Sequence, residues 1–388
     1  TSRGLEVTLV EKGGLGGGTS GRSHGVLHSG ARYAVSDPRD AAECIAENRT
    51  LREIAPDCVE ATGGVFVQLA GDDPAYYDRK LEACREVGIE AEPLSDEALS
   101  AAIPGDTDHI QRGFRVPDGI VWPSRLIVAN ALDAMSRGAE VYTNAPVEGI
   151  TVTDGCVASV DVGGALDETV VADHVVNATG AWAEGLGELA GLDISMNPTR
   201  GVMIAVEQEG LDVVVNRCRD PDDGDILVPH GEEVVLGTTS VAVDDPEAFE
   251  TADWESERVI EEGDALMPGL AEAQIDRTWW GVRPLYVPDE ARDGGRGISR
   301  GFSIVDHEVD GVANMHSVLG GKVTTYRLMA EHASDAVCER LGVDADCATA
   351  ERPLAAGYDV EELEAAIDRF DAVNPTSDTI SPRELSPS

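Results

Sequence analysis

The first eleven residues constrain the fold more than any other part of the chain. Arg3-Gly4 is typical of a helix end, and residues 5–11 (Leu-Glu-Val-Thr-Leu-Val-Glu) predict a short buried strand that ends in an acid. A helix end, a strand and a terminal acid are the second half of a βαβ unit. We therefore expect a nucleotide-type α/β domain whose first strand and glycine turn would precede Thr1, so that the chain as given holds its nucleotide poorly.

Strands alternate with helices along the rest of the chain. The apolar patterns predict helices over 37–54, 76–87 and 124–137, a glycine turn and helix within 316–340, and strands over 65–69, 140–142, 149–152, 156–162, 168–171, 172–177, 201–206, 225–228 and 233–237. This alternation predicts an α/β fold, in which a Rossmann-like domain with a parallel sheet and an incomplete first βαβ unit is interleaved with a mainly antiparallel α+β domain.

Charge excludes one class of function. The chain has 73 acidic and 29 basic residues, a net charge of −44, and its only lysines are Lys12, Lys80 and Lys322. Nucleic acid is an unlikely partner by this measure, because phosphate binding needs an excess of Lys and Arg. Disorder is the alternative interpretation of such charge, but 42% apolar residues and 42 glycines suit a folded protein. We interpret the acidic, lysine-poor composition as adaptation to high salt, which screens self-repulsion.

Two further patterns bear on location and metal binding. No apolar run reaches the roughly 18 residues that a membrane span needs, and no basic-then-apolar signal segment opens the chain. The seven cysteines are widely spaced, and none forms Cys-x-x-Cys. We expect reduced thiols in a cytoplasmic protein, without a disulfide framework or a metal site.

The letters Gly16-x-Gly18-x-x-Gly21 match the dinucleotide-binding fingerprint, but their context does not. The fingerprint directly follows a strand, opens a helix and precedes a second acid-ended strand by about 20 residues. Here Gly16 comes five residues after the acid, and no such strand follows. Glu11 instead occupies the place of the ribose-binding acid, although a solvated surface acid is the simpler alternative for this residue alone.

Residues 18–33 (Gly-Thr-Ser-Gly-Arg-Ser-His-Gly-Val-Leu-His-Ser-Gly-Ala-Arg-Tyr) are the most informative segment. Small residues let the backbone approach a flat ligand or a pyrophosphate closely, and Thr19, Ser20 and Ser23 add hydroxyl donors. A flexible surface loop is the alternative that Gly/Ser composition ordinarily indicates. The Val-Leu pair, the two histidines and the terminal Arg-Tyr are unusual in a linker and favour a functional loop.

Three further blocks accompany this loop. Residues 173–182 (Asp-His-Val-Val-Asn-Ala-Thr-Gly-Ala-Trp) predict a buried strand that ends in a Thr-Gly turn, and residues 279–286 (Trp-Trp-Gly-Val-Arg-Pro-Leu-Tyr) place an arginine before a proline. Residues 318–327 (Val-Leu-Gly-Gly-Lys-Val-Thr-Thr-Tyr-Arg) form a glycine turn before a helix, whose N–H groups and positive dipole end suit an anion. Ordinary surface turns are the alternative, but a lysine in such a turn is notable where lysines are so few.

Taken in order over residues 1 to about 340, these blocks resemble the FAD-dependent glycerol-3-phosphate dehydrogenase family of the amino-acid oxidase (DAO) superfamily. The resemblance is greatest to the catalytic A-type chains of the anaerobic, quinone-linked enzymes. It implies FAD as cofactor, oxidation of sn-glycerol 3-phosphate to dihydroxyacetone phosphate, and transfer of the electrons to a quinone. Those chains also carry a cysteine-rich C-terminal domain, whereas no Cys-x-x-Cys is present here, which leaves the route of the electrons open.

The resemblance also implies a catalytic base. His28 stands where related flavin enzymes present a histidine to the substrate, and an imidazole titrates in the range that a base needs. His24 and His230 are weaker candidates. A satisfied structural histidine is the ordinary alternative for each of them.

Anion-binding residues follow from the same resemblance. Arg32 and Arg283 are expected to hold the substrate's phosphate, because guanidinium forks match phosphate oxygens, and Lys322 is expected to stabilise the reduced flavin. The expected FAD contacts are Glu11, Thr19, Ser20, Ser23, His24, Gly25, Val147, Ala178, Thr179, Gly180, Trp182, Gly320, Gly321, Lys322, Val323 and Thr324.

The resemblance predicts a domain arrangement and partners. The expected segments are 1–64, 124–190 and 301–342 for the FAD-binding domain, 65–123 and 191–300 for the substrate domain, and 343–388 for an acidic, Ser/Pro-containing tail. Partner subunits of a membrane-associated complex would place the protein on the cytoplasmic face of the membrane. Two alternatives stay open: a sister flavoenzyme that oxidises a 2-hydroxy acid or amino acid, and a non-catalytic subunit that has lost its nucleotide site.

The charge interpretation leads to a first prediction. If the acidic residues are spread over the surface, KCl should raise the midpoint of thermal unfolding between low and molar concentration, because salt screens their mutual repulsion. Circular dichroism melts across a KCl series measure this shift. A midpoint that stays flat or falls over that range would contradict adaptation to high salt.

Overall fold

The computed structural model describes residues 1–286, 301–354 and 358–372. The strands, in chain order, are β1 (Thr8–Val10), β2 (Val26–Leu27), β3 (Val59–Glu60), β4 (Gly64–Leu69), β5 (Glu92–Pro93), β6 (Ile110–Val116), β7 (Gly119–Val121), β8 (Glu140–Tyr142), β9 (Val147–Thr153), β10 (Cys156–Val162), β11 (Glu168–Val170), β12 (Val175–Asn177), β13 (Thr199–Glu207), β14 (Val214–Arg217), β15 (Ile226–His230), β16 (Glu233–Gly237), β17 (Val241–Ala242), β18 (Ile275–Arg283), β19 (Phe302–Asp306) and β20 (Met315–Gly320). The helices are α1 (Pro38–Ile54), α2 (Pro74–Glu86), α3 (Asp96–Ala102), α4 (Pro123–Ser136), α5 (Ala183–Leu189), α6 (Asp253–Leu266), α7 (Tyr326–Leu341) and α8 (Val360–Arg369).

The described residues divide into two compact units. The first unit consists of Thr1–Gly21, Pro123–Thr199 and the described part of Val282–Asn374, and the second of Arg22–Trp122 and Arg200–Gly281. Residues 22–64 thus belong to the second unit, whereas the sequence prediction assigns them to the FAD-binding domain. The functional limits of the domains stay a prediction, and the part of the predicted tail beyond residue 372 lies outside the described residues.

The sheets of the first unit combine parallel and antiparallel pairs. Strand β12 pairs in parallel with β20, and β19 pairs antiparallel with the other edge of β20. Strand β1 pairs in parallel with β8. Strands β9, β10 and β11 form an antiparallel sheet that begins at Val147. Adjacent parallel strands end at the same edge of a sheet, which is where α/β proteins bind their ligands.

The opening strand differs from its prediction. It is shorter than residues 5–11, and it is not buried: Val7 is 39% exposed and Leu9 44% exposed. Val7 and Leu9 project from the same face of the chain, and the described residues leave that face of the two-stranded β1–β8 sheet exposed. The expectation of a buried strand is therefore wrong for these residues.

A large, mainly antiparallel sheet forms the core of the second unit. Its strand order is β17-β13-β16-β15-β14-β4-β6-β5, with β18 on β13. The β4–β14 pair is parallel, whereas β13–β16, β16–β15, β15–β14, β4–β6 and β6–β5 are antiparallel. Every residue of β4 is buried. Val65 and Val67 pack in one apolar cluster with residues of α3 and α6, whereas Phe66 packs in another with residues of α1 and α2. Helices therefore cover both faces of the centre of this sheet.

Most predicted elements are confirmed. Each predicted helix and each predicted strand after residue 11 has a counterpart in the structure within a few residues. The fold class, mixed α/β with parallel and antiparallel sheets, is confirmed as well. Alternating or 3.6-residue apolar patterns carried these predictions, because a buried face repeats with the period of its element.

The segment assigned to the C-terminal tail contains a helix that the sequence analysis does not predict. Residues Val360–Arg369 form α8, which packs against α4 and is capped by Asp359 with a reciprocal Glu362 contact. Its buried residues follow helical spacing: Leu363, Ala366, Ile367 and Phe370. The sequence carried this i, i+3, i+4, i+7 signal, but the acidic composition around it obscured the apolar face.

Burial is consistent with an acidic surface. Six acidic side chains are buried among the described residues: Asp40, Glu47, Asp118, Asp225, Glu255 and Glu262. The remaining described carboxylates are at least partly exposed. Within the ranges given above, no helix combines the length and the apolar character needed to cross a membrane.

Candidate functional site

Two glycine turns lie side by side at one sheet edge of the first unit. Strand β12 runs into Ala178-Thr179-Gly180, and β20 runs into Gly320-Gly321-Lys322. The strands are parallel and in register, with Asn177 opposite Ser317, so both turns leave from the same edge. The structure thus brings together two of the motifs that sequence analysis assigned to FAD.

A buried asparagine shapes the first turn. Asn177 is fully buried, and its Oδ1 accepts hydrogen bonds from the Thr179 hydroxyl at 2.7 Å and the Thr179 amide at 3.3 Å. Its Nδ2 donates to the carbonyl oxygen of Ala183. Gly180 adopts a φ of 61°, and a short 3₁₀ turn, Gly180–Trp182, follows. Ala178 and Thr179 are left exposed at the strand end, as a ligand contact requires.

The second turn depends on two glycines in the left-handed region. Gly320 and Gly321 have φ of 78° and 85°. A Cβ atom on Gly320 would lie 2.6 Å from the carbonyl oxygen of Gly301, and one on Gly321 would lie 2.3 Å from Sδ of Met329. Only glycine fits either position without movement of its neighbours.

A helix begins directly after this second turn. Lys322 precedes the 3₁₀ turn Val323–Thr325, which leads into α7, and the Lys322 carbonyl accepts a hydrogen bond from the Thr325 amide. Thr324 is buried, and Val323 is partly buried. The positive end of a 16-residue helix and the lysine are consecutive in the chain, an arrangement that suits an anion.

The end of β1 meets the Thr-Gly turn through Trp182. Nζ of Lys12 lies 4.4 Å from the centroid of the Trp182 ring, and a Cβ on Gly18 would be 3.0 Å from the same ring. The indole N–H of Trp182 is buried and has no hydrogen-bond partner within the described ranges. The adjacent Glu11 accepts a hydrogen bond from the Gly13 amide at 3.0 Å. The strand ends that carry Glu11 and Thr179 are therefore neighbours.

The loop from Gly13 to Gly21 consists of turns, as the rejection of the literal fingerprint predicts. No helix opens at Gly16, which instead packs against Ile127 of α4. The Thr19 hydroxyl donates to the carbonyl oxygen of Val282 at 2.5 Å, which ties this loop to the end of β18. That hydroxyl is engaged by protein, which counts against its predicted role as a cofactor donor, whereas Ser20 is exposed.

Aromatic side chains cluster in the second unit around the continuation of this loop. The ring centroid of His28 lies 5.9 Å from that of His24 and 5.5 Å from that of Tyr33, both edge to face. His28 is 9% exposed and Tyr33 8%. Ser23 contributes its Oγ as acceptor for the Gly25 amide at 3.4 Å. The histidine predicted as base is thus held within an aromatic cluster and is nearly buried.

His230 supports the backbone of this loop. Its Nε2 lies 3.1 Å from the carbonyl oxygen of His24 and donates to it, and a Cβ on Gly25 would come within 2.7 Å of its ring. Burial lowers the pKa of His230, so the ring is neutral at pH 7. A proton fixed on Nε2 and a buried ring favour a supporting role over that of a base.

The two predicted phosphate-binding arginines lie in different units. Arg32, in the second unit, has Nη2 3.7 Å from Oδ2 of Asp225, but the shorter contacts of that carboxylate are with Arg219, at 2.7 Å. Arg283, in the first unit, has Nη1 3.5 Å from Oγ1 of Thr199. Arg32 is therefore only loosely paired with Asp225.

Sequence reasoning missed Arg22. No side-chain hydrogen bond or ion pair joins its guanidinium to any described residue, and its Nε is buried. Burial alone lowers its pKa. Its backbone is held by β18, where the Trp279 indole donates to the Arg22 carbonyl at 3.2 Å and Gly281 leaves room for it. The available signal was a second arginine inside the Gly/Ser-rich segment of a strongly acidic chain.

Glycine turns at the carboxyl ends of parallel strands, one of them leading into a helix, define a nucleotide-binding α/β protein. The sequence profile of the FAD-dependent oxidoreductases (DAO) matches residues 1–336. The chain belongs to this family.

Curated relatives and a solved structure agree with that assignment. The chain is 47% identical over 388 residues to the A1 chain of the anaerobic glycerol-3-phosphate dehydrogenase of Haloferax volcanii, covering 96% of this chain and 66% of that protein. It is 41% identical to the corresponding A-type chain of the anaerobic enzyme from Escherichia coli K12, covering 93% and 68%. The chain thus spans about two thirds of the length of these relatives.

Among solved structures, the fold matches the glycerol-3-phosphate dehydrogenase of Bacillus halodurans, which is complexed with FAD. The TM-score is 0.69 at 22% identity, and the match covers 95% of this chain and 67% of that one. At this identity the likeness shows the fold alone.

The Gly320 turn leads to a second prediction. Gly320→Ala should destabilise the protein more than Gly342→Ala, because both residues have positive φ but only Gly320 faces a backbone oxygen. We expect the control to cost about 1–2 kcal/mol of unfolding free energy, the usual penalty for a left-handed alanine, and Gly320→Ala at least ~1 kcal/mol more. Denaturant unfolding measures both values, and equal values would show that the turn relaxes without cost.

Proposed function

We propose that this chain is the FAD-binding, substrate-oxidising part of an anaerobic glycerol-3-phosphate dehydrogenase. It would oxidise sn-glycerol 3-phosphate to dihydroxyacetone phosphate and pass the electrons to a quinone through partner subunits. The observation that carries the proposal is the pair of glycine turns at the ends of β12 and β20, one of which continues into Lys322 and a helix. The names of the relatives at 41–47% identity supply the substrate.

The residues of the first unit fit a dinucleotide. The glycines at 320 and 321 let the turn pass close to Gly301 and Met329 just before α7, and the buried Trp182 N–H has no partner among the described residues. Glu11 at the end of β1 stands in the place of a ribose-binding acid. We propose that these residues hold FAD, with Lys322 and the start of α7 facing its negative charge.

FAD, when bound, supplies the two-electron acceptor for the reaction. Oxidation at C2 breaks one C–H bond and the O–H bond and forms the carbonyl, so a hydride and a proton leave together. His28 takes the hydroxyl proton in this proposal, since a nearly buried imidazole in the loop that also carries predicted FAD contacts is suited to act as a base. Burial among His24 and Tyr33 fixes the ring and keeps water from it.

Guanidinium groups would hold the phosphate of the substrate. Arg32 and Arg283 are the proposed forks, and the weak contact of Arg32 with Asp225 leaves its charge available. Arg22 is a further proposed contact. In a chain of net charge −44, a desolvated arginine without a described carboxylate partner is costly unless an anion occupies its surroundings.

A third prediction separates the residues that bind the substrate from the residue that acts as base. Arg32→Lys and Arg283→Lys keep the charge but lose the bidentate fork, so each should weaken glycerol 3-phosphate binding by roughly 10- to 100-fold. His28→Ala should slow reduction of the bound flavin by roughly 10²–10⁴ and leave affinity nearly unchanged. Stopped-flow bleaching of the FAD-loaded protein measures both quantities. Reduction at the parental rate in His28→Ala would place the base elsewhere.

A substrate series tests the alternatives in the same assay. Glycerol, a 2-hydroxy acid and an amino acid lack the phosphate and should reduce the flavin far more slowly than glycerol 3-phosphate. Preference for one of the unphosphorylated acids would favour a sister flavoenzyme. Failure to take up FAD, together with no turnover, would favour a non-catalytic subunit that has lost its nucleotide site.

The fourth prediction concerns Arg22. Arg22→Met should weaken glycerol 3-phosphate binding by at least about 10-fold, through loss of a charged hydrogen-bond pair. Arg115→Met, which removes an exposed arginine from β6 of the same unit, is the matched control and should change nothing. Titrations of FAD and of substrate are run on all three proteins. Loss of FAD affinity alone would assign Arg22 to the pyrophosphate, and no loss of either would make it structural.

A further inference from the structure

Lys80 is a buried lysine that contacts the backbone of the loop that carries Arg32. Lys80 lies on α2 and is 1% exposed, although the chain has only three lysines. Lysine is almost never fully buried without a charged partner, because its ammonium loses hydration. No carboxylate lies within ion-pair distance of Nζ in the described part of the chain. The position therefore needs an explanation beyond packing.

The ammonium group donates to main-chain oxygens of the loop of residues 18–33. Nζ donates to the carbonyl oxygens of Ala31 at 3.0 Å and Arg32 at 2.8 Å. The rings of Tyr76 and Phe66 lie 5.4 and 5.6 Å away, within range of a cation–π contact. The charge thus acts on the peptide groups directly before and after the Cα atom that carries the Arg32 side chain.

The same loop is held at two more points. Oδ1 of Asp118, which is buried, accepts hydrogen bonds from the amide and the hydroxyl of Ser29, both at 2.7 Å. Gly30 has a φ of 90°, and a Cβ on it would lie 2.3 Å from the carbonyl oxygen of Ala41. A buried carboxyl group, a close contact with α1 and a buried lysine therefore hold residues 29–32 one after another.

We propose that Lys80 is a positioning residue, which fixes the backbone of Ala31 and Arg32 so that the Arg32 guanidinium meets the phosphate of the substrate. The proposal rests on the proposed function for the identity of that substrate. An apolar residue of similar length would remove the cost of burying the charge but leave the two carbonyl oxygens without this donor, so the two effects on stability oppose each other. What an apolar residue cannot do is bind two carbonyl oxygens.

The surroundings of Lys80 make its contribution depend on pH. Burial lowers the pKa of Lys80 to about 8, with smaller effects from Cys84 on the same helix and from Cys218, Arg32 and Asp220. Burial also raises the pKa of both thiols to about 12, so they are neutral near pH 8. Above pH 8 the ammonium becomes a neutral amine, whose hydrogen bonds to the carbonyls are weaker.

The sign of the stability effect follows from the same shift. The folded-state pKa lies below the ordinary value for lysine, so the cost of burying the charge is fully present below pH 8. That cost disappears as the pH rises from about 8 towards the pKa of the unfolded chain. Substrate affinity and the stability contribution of Lys80 therefore change in opposite directions above pH 8.

The fifth prediction uses Lys80→Met, which keeps the length of the stem and removes the ammonium. Arg79→Met is the matched control, because Arg79 is exposed, precedes Lys80 on the same helix and also loses a positive charge. In the FAD-loaded protein we expect Lys80→Met to weaken glycerol 3-phosphate binding by about 10-fold or more. The unfolding midpoint at pH 7 should change little, because the loss of two hydrogen bonds to carbonyl oxygens opposes the relief of the desolvation cost.

The pH profile separates positioning from a purely structural role. Substrate affinity of the parent and of Arg79→Met should fall through an apparent pKa near 8, and this inflection should be lost in Lys80→Met. Hydrogen exchange of the peptide spanning residues 26–36 should be faster in Lys80→Met alone, with or without substrate. A lower midpoint with unchanged affinity and unchanged pH profile would overturn the proposal, as would unchanged exchange in that peptide.

The exchange measurement also distinguishes this proposal from the proposed function. If glycerol 3-phosphate binds none of the three proteins, the assignment of the substrate fails. Faster exchange confined to residues 26–36 of Lys80→Met would then still support the proposal that Lys80 holds this loop. Unchanged exchange there would overturn the Lys80 proposal as well.

Discussion

The parallel pairing of β12 with β20 is the constraint on which the first unit depends. Two chain segments more than 130 residues apart in sequence leave the sheet at the same edge only because their strands run in the same direction. The Thr-Gly turn and the Gly-Gly-Lys turn then become neighbours at that edge. Glycines at 320 and 321 let the second turn pass close to Gly301 and Met329, where larger residues would collide. A nucleotide site follows from strand direction and from the absence of side chains.

The cations of the second unit differ in whether they pair with a carboxylate. In a protein with so many carboxylates, most buried arginines have acidic partners, as Arg200 does with Glu255 at 2.7 Å. Arg22 and Lys80 depart from this pattern, since neither meets a carboxylate among the described residues. Lys80 directs its charge to peptide carbonyls, and Arg22 leaves Nε buried without a partner in the described ranges. Arg22 lies in the loop of residues 18–33 and Lys80 binds it, which fits the tendency of strained or costly groups to occur at functional sites.

Local patterns predicted most elements and several motifs. Helical periodicity located α1, α2 and α4, and the run from Val318 to Arg327 indicated its turn by consecutive glycines before a helix. The failures share one cause, which is that burial depends on neighbours distant in sequence. Leu9 is exposed because the described residues leave its face of the β1–β8 sheet uncovered, and Leu363 is buried because α4 lies against α8. The apolar run over residues 5–11 predicts the opposite for Leu9, and the sequence analysis predicts no helix around Leu363.

The sequence by itself determined the periodicities, the glycine positions and the order of the motifs, because these depend on residues close together along the chain. It therefore identified the α/β class and the residues worth considering. Tertiary structure decided which polar side chains already hydrogen-bond to other parts of the protein. Thr19 gives its hydroxyl to Val282, His230 gives its proton to the His24 carbonyl, and Lys80 binds the backbone of Arg32. Hydrogen bonds between residues 48 to 263 positions apart leave no local pattern, so only the folded chain reveals them.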